Sequence, residues 1–287
     1  MSCAYPNAQD HATMTSLSAL TQHPNINKKV IWITGASSGI GEALARELAA
    51  LGAVLILTAR RETELARVCA SLTNPQQHLL LPLDITDDTA ISAAVQTIQQ
   101  QIGGLDWLIN NAGISQRSLI IDTSLETERK LFEVDYFAQI NLTRQALPLL
   151  LADGGGKVVF VSSVAGLVGT QYRAGYSAAK AALHLWANSL RAELFDQGLK
   201  VATIFPGFVK TQVSHNALIG DGSALGEMDE AQAKAMTAEK FAQKTVTALI
   251  KDKNYIVIGG VKERLAAVMS RLWPNLLYKM IRKAKVR

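Results

Sequence analysis

From Lys29 onward, short runs of β-branched and apolar residues alternate with longer stretches whose apolar positions recur at helical spacing. The runs predict strands at residues 30–34, 54–58, 78–83, 107–110, 158–162, 201–205 and 255–258. The stretches between them predict helices over 39–51, 62–72, 89–102, 125–152, 176–196 and 238–251. These strands are apolar almost throughout, as strands covered on both faces are. Seven strands with intervening helices imply right-handed β-α-β units. The expected fold is α/β: a single Rossmann-type, doubly wound parallel sheet with helices on both faces.

Three stretches break the rhythm. Residues 1–27 are polar and aperiodic and read as a flexible leader, which leaves 28–260 as the folded domain. Residues 211–238 mix glycine with polar and apolar positions and predict a lid over a site. There His215 reads as an exposed lid residue, and Lys210 is the one nearby cation, facing solvent. Residues 261–287 set Leu265, Val268, Met269, Leu272, Trp273, Leu276, Leu277, Met280 and Ile281 among basic residues, and Pro274 divides them into two short helices.

Composition changes this picture only at the edges. A chain of 287 residues, 48% hydrophobic, is long and apolar enough for one large core and is not a disordered chain. Cys3 and Cys69 offer neither a disulfide framework nor a metal site. With no signal-peptide pattern and no apolar run of about 18 residues, a cytoplasmic location is expected. The net charge of +5 is concentrated: residues 261–287 carry eight basic residues against Glu263, so the remainder is slightly acidic. No basic stripe recurs in the body, which excludes nucleic acid as a partner. The basic amphipathic tail suits an anionic membrane surface; packing on the domain or on a partner subunit is the alternative.

Directly after the first strand comes Thr34-Gly35-Ala36-Ser37-Ser38-Gly39-Ile40-Gly41, opening a helix. Glycines there let the backbone turn sharply and approach a pyrophosphate, whose charge the helix N-terminus favours. The second strand ends in Leu57-Thr58-Ala59-Arg60-Arg61, with no acid before Glu62. A dinucleotide with a free ribose 2′-hydroxyl wants a carboxylate at that place, whereas a 2′-phosphate wants a cation. Arg60 therefore favours NADP(H).

Ser163 closes the fifth strand, and Tyr176 and Lys180 follow one helical turn apart on a shared face. Carbonyl reduction by hydride needs a proton donor for the developing alkoxide and a second donor to hold the oxygen. A free phenol loses its proton near pH 10, and a lysine ammonium about 4 Å away stabilises a phenolate by roughly 4 kcal/mol at an effective dielectric of 20.

Together these segments resemble the short-chain dehydrogenase/reductase family, classical type, from about residue 29 to 260. The glycine turn matches, as do Leu83-Asp84-Ile85-Thr86, Asn110-Asn111-Ala112-Gly113 and Pro206-Gly207-Phe208-Val209-Lys210-Thr211. The resemblance implies that Tyr176 is the proton donor, that Ser163 orients the carbonyl and that Lys180 holds the nicotinamide ribose. It implies that Asp84 and Ile85 meet the adenine, that Asn111, Ala112 and Gly113 flank the cofactor, and that Val209 and Thr211 meet the nicotinamide amide. No metal is implied, and a homodimer or homotetramer is. The basic, apolar end and Tyr136-Phe137 resemble the 11β-hydroxysteroid dehydrogenase-like branch, which favours lipophilic carbonyls.

One position departs from the family's pattern. Its catalytic asparagine is replaced in Phe132-Glu133-Val134-Asp135-Tyr136-Phe137 by Asp135. Asn141, six residues on, is about 240° around a helix and points elsewhere. An aspartate keeps the backbone carbonyl that serves the family's water relay, and its carboxylate is expected to pair with Lys180. Slower but real catalysis is expected. The function read from the sequence is an NADP(H)-dependent oxidoreductase interconverting a lipophilic ketone or aldehyde and its alcohol. Two alternatives stay open: a β-ketoacyl-thioester reductase of lipid synthesis, which shares these motifs, and a low-activity NADPH-sensing protein.

Overall fold

The computed structural model describes residues 26–213, 215–227 and 235–282. Among them the chain alternates β1 (Val30–Thr34), α1 (Gly39–Ala50), β2 (Val54–Thr58), α2 (Glu62–Ala70), β3 (Leu79–Leu80), α3 (Asp88–Gln101) and β4 (Trp107–Asn110). It continues with α4 (Leu125–Phe132), α5 (Ala138–Leu151), β5 (Lys157–Val161), α6 (Ala174–Glu193) and β6 (Lys200–Pro206). The short strands β7 (Val209–Lys210) and β8 (Met236–Thr237), then α7 (Ala238–Ile250), β9 (Tyr255–Ile258), α8 (Val261–Leu272) and α9 (Pro274–Ile281) complete it.

Seven strands form one sheet in the order β3-β2-β1-β4-β5-β6-β9, parallel throughout. This is the expected doubly wound architecture. The chain starts at the centre with β1, builds outward through β2 and β3, then returns to add β4 on the other side. That reversal opens a crevice at the carboxyl ends of β1 and β4.

Each face of the sheet carries its own core. On one, Leu44 and Leu48 of α1 and Phe241 and Val246 of α7 pack against Ile31, Ile33, Leu55 and Ile204. On the other, Ile91 and Ile98 of α3, Leu142 of α5 and Leu183 of α6 pack against Trp32, Leu108 and Phe160. Trp32, Phe160, Phe205 and Phe241 are fully buried, each contributing roughly 1.5–3 kcal/mol relative to exposure. The one polar atom of Trp32 is satisfied, its Nε1–H donating to Thr58 Oγ1 at 2.8 Å.

Three expectations shift at their boundaries. Ile26, expected in the leader, is only 1% exposed and belongs to the core; residues 1–25 lie outside those described. The strand expected over 78–83 shortens to β3 at the edge of the sheet. Leu81 and Leu83 still donate to Leu57 O and Ala59 O, so the chain runs on beside β2. The helix expected over 125–152 is interrupted by a π-helical turn, Glu133–Phe137. Such turns concentrate at functional sites, and this one carries Asp135.

The tail forms the two expected helices, with Pro274 opening α9, where its missing N–H costs nothing. Met269 and Leu277 pack against Val168 and Leu167, just beyond Ser163, so this segment is docked on the domain. Its other face leaves Leu265, Val268, Leu272, Trp273 and Leu276 exposed.

Candidate functional site

The glycine turn follows from steric necessity. Gly35 and Gly39 adopt φ of +66° and +58°, which only glycine takes without strain. A Cβ on Gly35 would sit 2.9 Å from Ala112 Cα. The turn is tied to the Asn110-Asn111-Ala112 segment through Thr34: its Oγ1 accepts from the N–H groups of Asn111 and Ala112 at 3.0 Å, and Asn111 Nδ2 donates to Thr34 O at 2.9 Å. Ser38 caps α1 without a side-chain bond to the helix, leaving N–H groups at that terminus for a phosphate. The residues present therefore fit a dinucleotide pyrophosphate.

In front of the turn lies a cavity of about 590 Å³. The structure brings to its wall Gly35, Ser37, Ser38, Gly39, Ile40, Arg60, Asp84, Ile85, Asn111, Ala112, Gly113, Ser163, Tyr176, Lys180, Val209 and Thr211. Gly41, expected with them, stands behind the wall. A Cβ there would overlap the Gly35 carbonyl, so this glycine lets α1 close onto the turn.

At the end of β2, Arg60 is exposed, with Nη1 3.7 Å from Asp84 Oδ2. Arg61, which the sequence reading passed over, also lines the cavity and donates from Nη2 to Ser37 Oγ at 3.2 Å and Ser38 Oγ at 3.4 Å. The signal was present in the Arg-Arg pair. Two guanidiniums thus stand at the place where a 2′-phosphate and a 2′-hydroxyl are told apart.

Ser163 is the N-cap of a short 3-10 turn, Val164–Gly166, and its Oγ accepts from Ala165 N–H at 3.1 Å. That use of its lone pair leaves the hydroxyl proton to be donated. Tyr176 lies in the first turn of α6, its N–H held by Gln116 Oε1 at 3.2 Å. Lys180 follows one turn later and is buried; its Nζ donates to Val161 O at 3.2 Å and stands 6.0 Å from the centre of the Tyr176 ring. Ser162 Oγ donates to Lys180 O at 2.9 Å, fixing the helix against the end of β5.

Asp135 lies behind the cavity wall, completely buried. The expected pairing is present, with Oδ1 3.4 Å from Lys180 Nζ, and Oδ1 also accepts from Ile114 N–H at 3.0 Å. Burial pushes its carboxyl up from the usual carboxylate range, against the pull of the Lys180 charge and the Ile114 bond. Gly113 is what leaves room for it: a Cβ there would lie 2.6 Å from Asp135 Oδ1 and 3.1 Å from Lys180 Nζ. Asn141 indeed points away, donating to Asp88 Oδ1 at 2.6 Å.

The far end of the cavity holds residues that periodicity does not mark. Arg117, Lys130, Arg173 and Phe208 line it, with Gln212, Val213, Asn216 and Leu218 from the expected lid. The lid is laced to the wall, Leu218 N–H donating to Ser115 O and Arg117 N–H to Leu218 O, both at 2.8 Å. His215 is exposed, and neither it nor Lys210 lines the cavity. Among the described residues no helix is long and apolar enough to cross a membrane, and no His, Cys, Asp and Glu cluster could hold a metal.

Comparison with known proteins agrees with this geometry. A family model described as short chain dehydrogenase matches residues 29–220. The Drosophila melanogaster dehydrogenase/reductase SDR family protein 7-like is 37% identical over 264 residues, spanning 90% of this chain and 81% of that one. The human dehydrogenase/reductase SDR family member 7 is 38% identical over 250 residues, spanning 85% and 73%. A solved short-chain dehydrogenase from Streptomyces avermitilis superposes with a TM-score of 0.73 at 31% identity, covering 88% of this chain and 99% of that one. The likeness to classical members near the 11β-hydroxysteroid dehydrogenase-like branch therefore holds. A glycine turn shaped for a nicotinamide dinucleotide, a Ser-Tyr-Lys set beside it and relatives along nine-tenths of the chain lead to one conclusion: this is an oxidoreductase of the short-chain dehydrogenase family.

Proposed function

We propose that the chain is an NADP(H)-dependent oxidoreductase that interconverts a lipophilic ketone or aldehyde and its alcohol. The observation that carries this reading is the placing of Ser163, Tyr176 and Lys180 on one cavity wall with the glycine turn. Arg60 and Arg61 at the end of β2 support the 2′-phosphorylated cofactor. Gly35, Ser37, Ser38, Gly39 and Ile40 would hold its pyrophosphate, Asp84 and Ile85 its adenine, Asn111, Ala112 and Gly113 its middle, and Val209 and Thr211 its amide. When bound, the nicotinamide supplies or takes up the hydride.

The protein's own part is to hold the carbonyl and move a proton. Ser163 donates a hydrogen bond to the substrate oxygen. The Tyr176 phenol gives its proton to the alkoxide as it forms, and the Lys180 ammonium stabilises the phenolate left behind. Val161 O and Asp135 keep Lys180 in place for that task. The reading is tested by NADPH oxidation against aromatic ketones, quinones, steroids and acetoacetyl thioesters. Turnover that Tyr176→Phe abolishes is expected. NADPH binding without turnover of any of them, until Asp135 becomes Asn, would favour a cofactor-sensing protein, which the buried Asp135–Lys180 pair supports as the second reading.

Two associations belong to the same proposal. Phe137 and Leu185, exposed on the faces of the π turn and α6, support a homodimer or homotetramer through those helices. The exposed apolar face of α8 and α9, bordered by Lys262, Arg264, Arg271, Lys279 and Arg282, supports peripheral contact with an anionic membrane.

A further inference from the structure

In the segment that leaves β4, Ser115 and Arg117 line the cavity, while Gln116 between them stands behind the wall, fully buried. A buried amide has an acceptor oxygen and a donor nitrogen, and both need partners. Gln116 uses them to join two segments. Its Oε1 accepts the N–H of Tyr176 at 3.2 Å, and its Nε2 donates to Thr123 Oγ1 at 3.1 Å. Thr123 Oγ1 gives its own proton to Leu119 O at 2.7 Å, which keeps its lone pairs for the amide and fixes which end of that amide faces Tyr176.

The bond to Tyr176 replaces a helix cap. The first N–H groups of a helix have no partner within it, and a polar side chain just ahead of the helix commonly accepts from one of them. The residue in that place on α6 is Arg173, whose side chain makes no such bond; Gln116, 60 residues away, supplies the acceptor to the third residue of the helix. Gly175 makes room for it, since a Cβ there would stand 3.4 Å from Gln116 Oε1 and 3.1 Å from Leu131 Cδ1. The chain also enters α6 through an uncommon conformation: Tyr172 takes φ of +65°, and Ser118 N–H holds it by donating to Tyr172 O at 3.1 Å. On its backbone side Gln116 bridges in parallel to Leu218 of the lid, whose N–H donates to Ser115 O and whose carbonyl accepts from Arg117 N–H. One residue thus joins the lid, the turn before α4 and the helix of the proton donor.

We infer that Gln116 is a positioning residue for the reaction: its amide sets the first turn of α6, and with it the Tyr176 phenol, in register with the lid at Leu218. It lies outside the cavity wall and acts through Tyr176. This rests on the reductase reading above and adds to it what holds the proton donor in place. A misplaced phenol slows proton transfer without weakening the hold on the cofactor, so the loss belongs to the chemical step.

The test is single-turnover reduction by the NADPH-loaded chain, using the compound of the panel above that the wild type reduces fastest. Gln116→Met nearly keeps the shape and removes the amide. It should slow the step by about tenfold or more, while NADPH affinity and the half-saturating substrate concentration stay within about threefold. Gln116→Glu, which keeps an acceptor for the Tyr176 N–H, should recover most of the rate. In a Tyr176→Phe background Gln116→Met should slow the residual reaction no further, because the group through which it acts is gone. An unaltered rate, cofactor affinity lost as far as the rate, or equal slowing with and without the phenol would each overturn the inference and leave the reductase reading standing. Should Gln116→Met not fold, Thr123→Val loosens the other end of the amide and is read by the same criteria. If no compound of the panel is reduced, hydrogen exchange at the Tyr176 amide decides the matter. Exchange about tenfold faster in Gln116→Met, and restored by Gln116→Glu, supports the inference; exchange at the wild-type rate overturns it.

Discussion

Lys180 and Asp135 form a buried ion pair, Nζ to Oδ1 at 3.4 Å, directly behind the Ser163 and Tyr176 wall. The carboxylate competes with the tyrosine for the positive charge. Asp135→Asn should therefore raise kcat several-fold at neutral pH with little change in KM. Because burial holds the Asp135 carboxyl above its usual range, the wild-type side chain becomes neutral while the pH is still above that range. The ratio of variant to wild-type kcat should approach one on acidification and grow as the pH rises. A ratio independent of pH would show that the carboxylate does not modulate Lys180.

Removing the phenol proton should stop the chemistry and spare the cofactor. Tyr176→Phe is expected to lower kcat by about 10²–10⁴-fold, while NADPH affinity, followed by its fluorescence, stays within a few-fold. Loss of both together would indicate a folding defect instead.

Cofactor choice should reside in two arginines. Arg60→Ala and Arg61→Ala are each expected to weaken NADPH by about tenfold or more while leaving NADH nearly unchanged, as loss of a charge-assisted bond to a phosphate would. Arg61 should show the larger effect, because Ser37 and Ser38 hold it against the glycine turn whereas Arg60 has a 3.7 Å contact with Asp84. Equal loss for both cofactors would place the selectivity elsewhere.

The tail should bind vesicles through its uncovered side. Co-sedimentation with phosphatidylserine-containing vesicles is expected at low salt and should fall as salt rises. Trp273→Ser with Leu276→Ser should reduce it by about tenfold or more, since both side chains are exposed and their loss leaves the packed Met269 and Leu277 untouched. Retention in the supernatant at every salt concentration would refute the membrane contact.

Asp252 ties the base of the sheet to α7. Hydrogen bonds from Lys157 and Lys200, at 2.7 and 2.8 Å, and their charges hold its carboxyl below the usual range. A depressed carboxyl stabilises the fold above its unfolded value, near 3.9, and loses that contribution as pH falls through the folded one. Asp252→Asn should thus cost about 1 kcal/mol at neutral pH, allowing for the screening of a half-exposed group. Denaturant titrations of both proteins should converge below about pH 3 if enough of the fold survives to be titrated there.

The sheet was legible in the sequence because its strands are buried on both sides and so read as unbroken apolar runs. Where that rule lapses, the reading lapsed too. The regular ladder of β3 ends at Leu80 although the leucines beyond it advertised a longer strand, and Ile26 is a lone apolar residue in polar text that the core nevertheless claims. The π turn was invisible, since the side chains of 125–152 fit a continuous helix and only the backbone records the interruption. In the site, residues within spaced motifs reach one cavity, and Asp135 pairs with Lys180 behind it. Arg117 and Arg173 were not legible, because each stands in an irregular segment and only the fold brings both to one cavity.

Ile26 also decides how this protein can be handled. It is anchored at the start of β1, where Lys29 N–H bonds to Ile26 O and Lys28 N–H to Gly52 O, and every strand of the main sheet points the same way. A tether attached ahead of Ile26 leaves from the amino ends of the strands, opposite the cavity. One attached beyond α9 leaves from the helix that packs on Leu167 and Val168, the segment that follows Ser163. Immobilising the enzyme by its front end keeps the mouth of the cavity turned toward the solution.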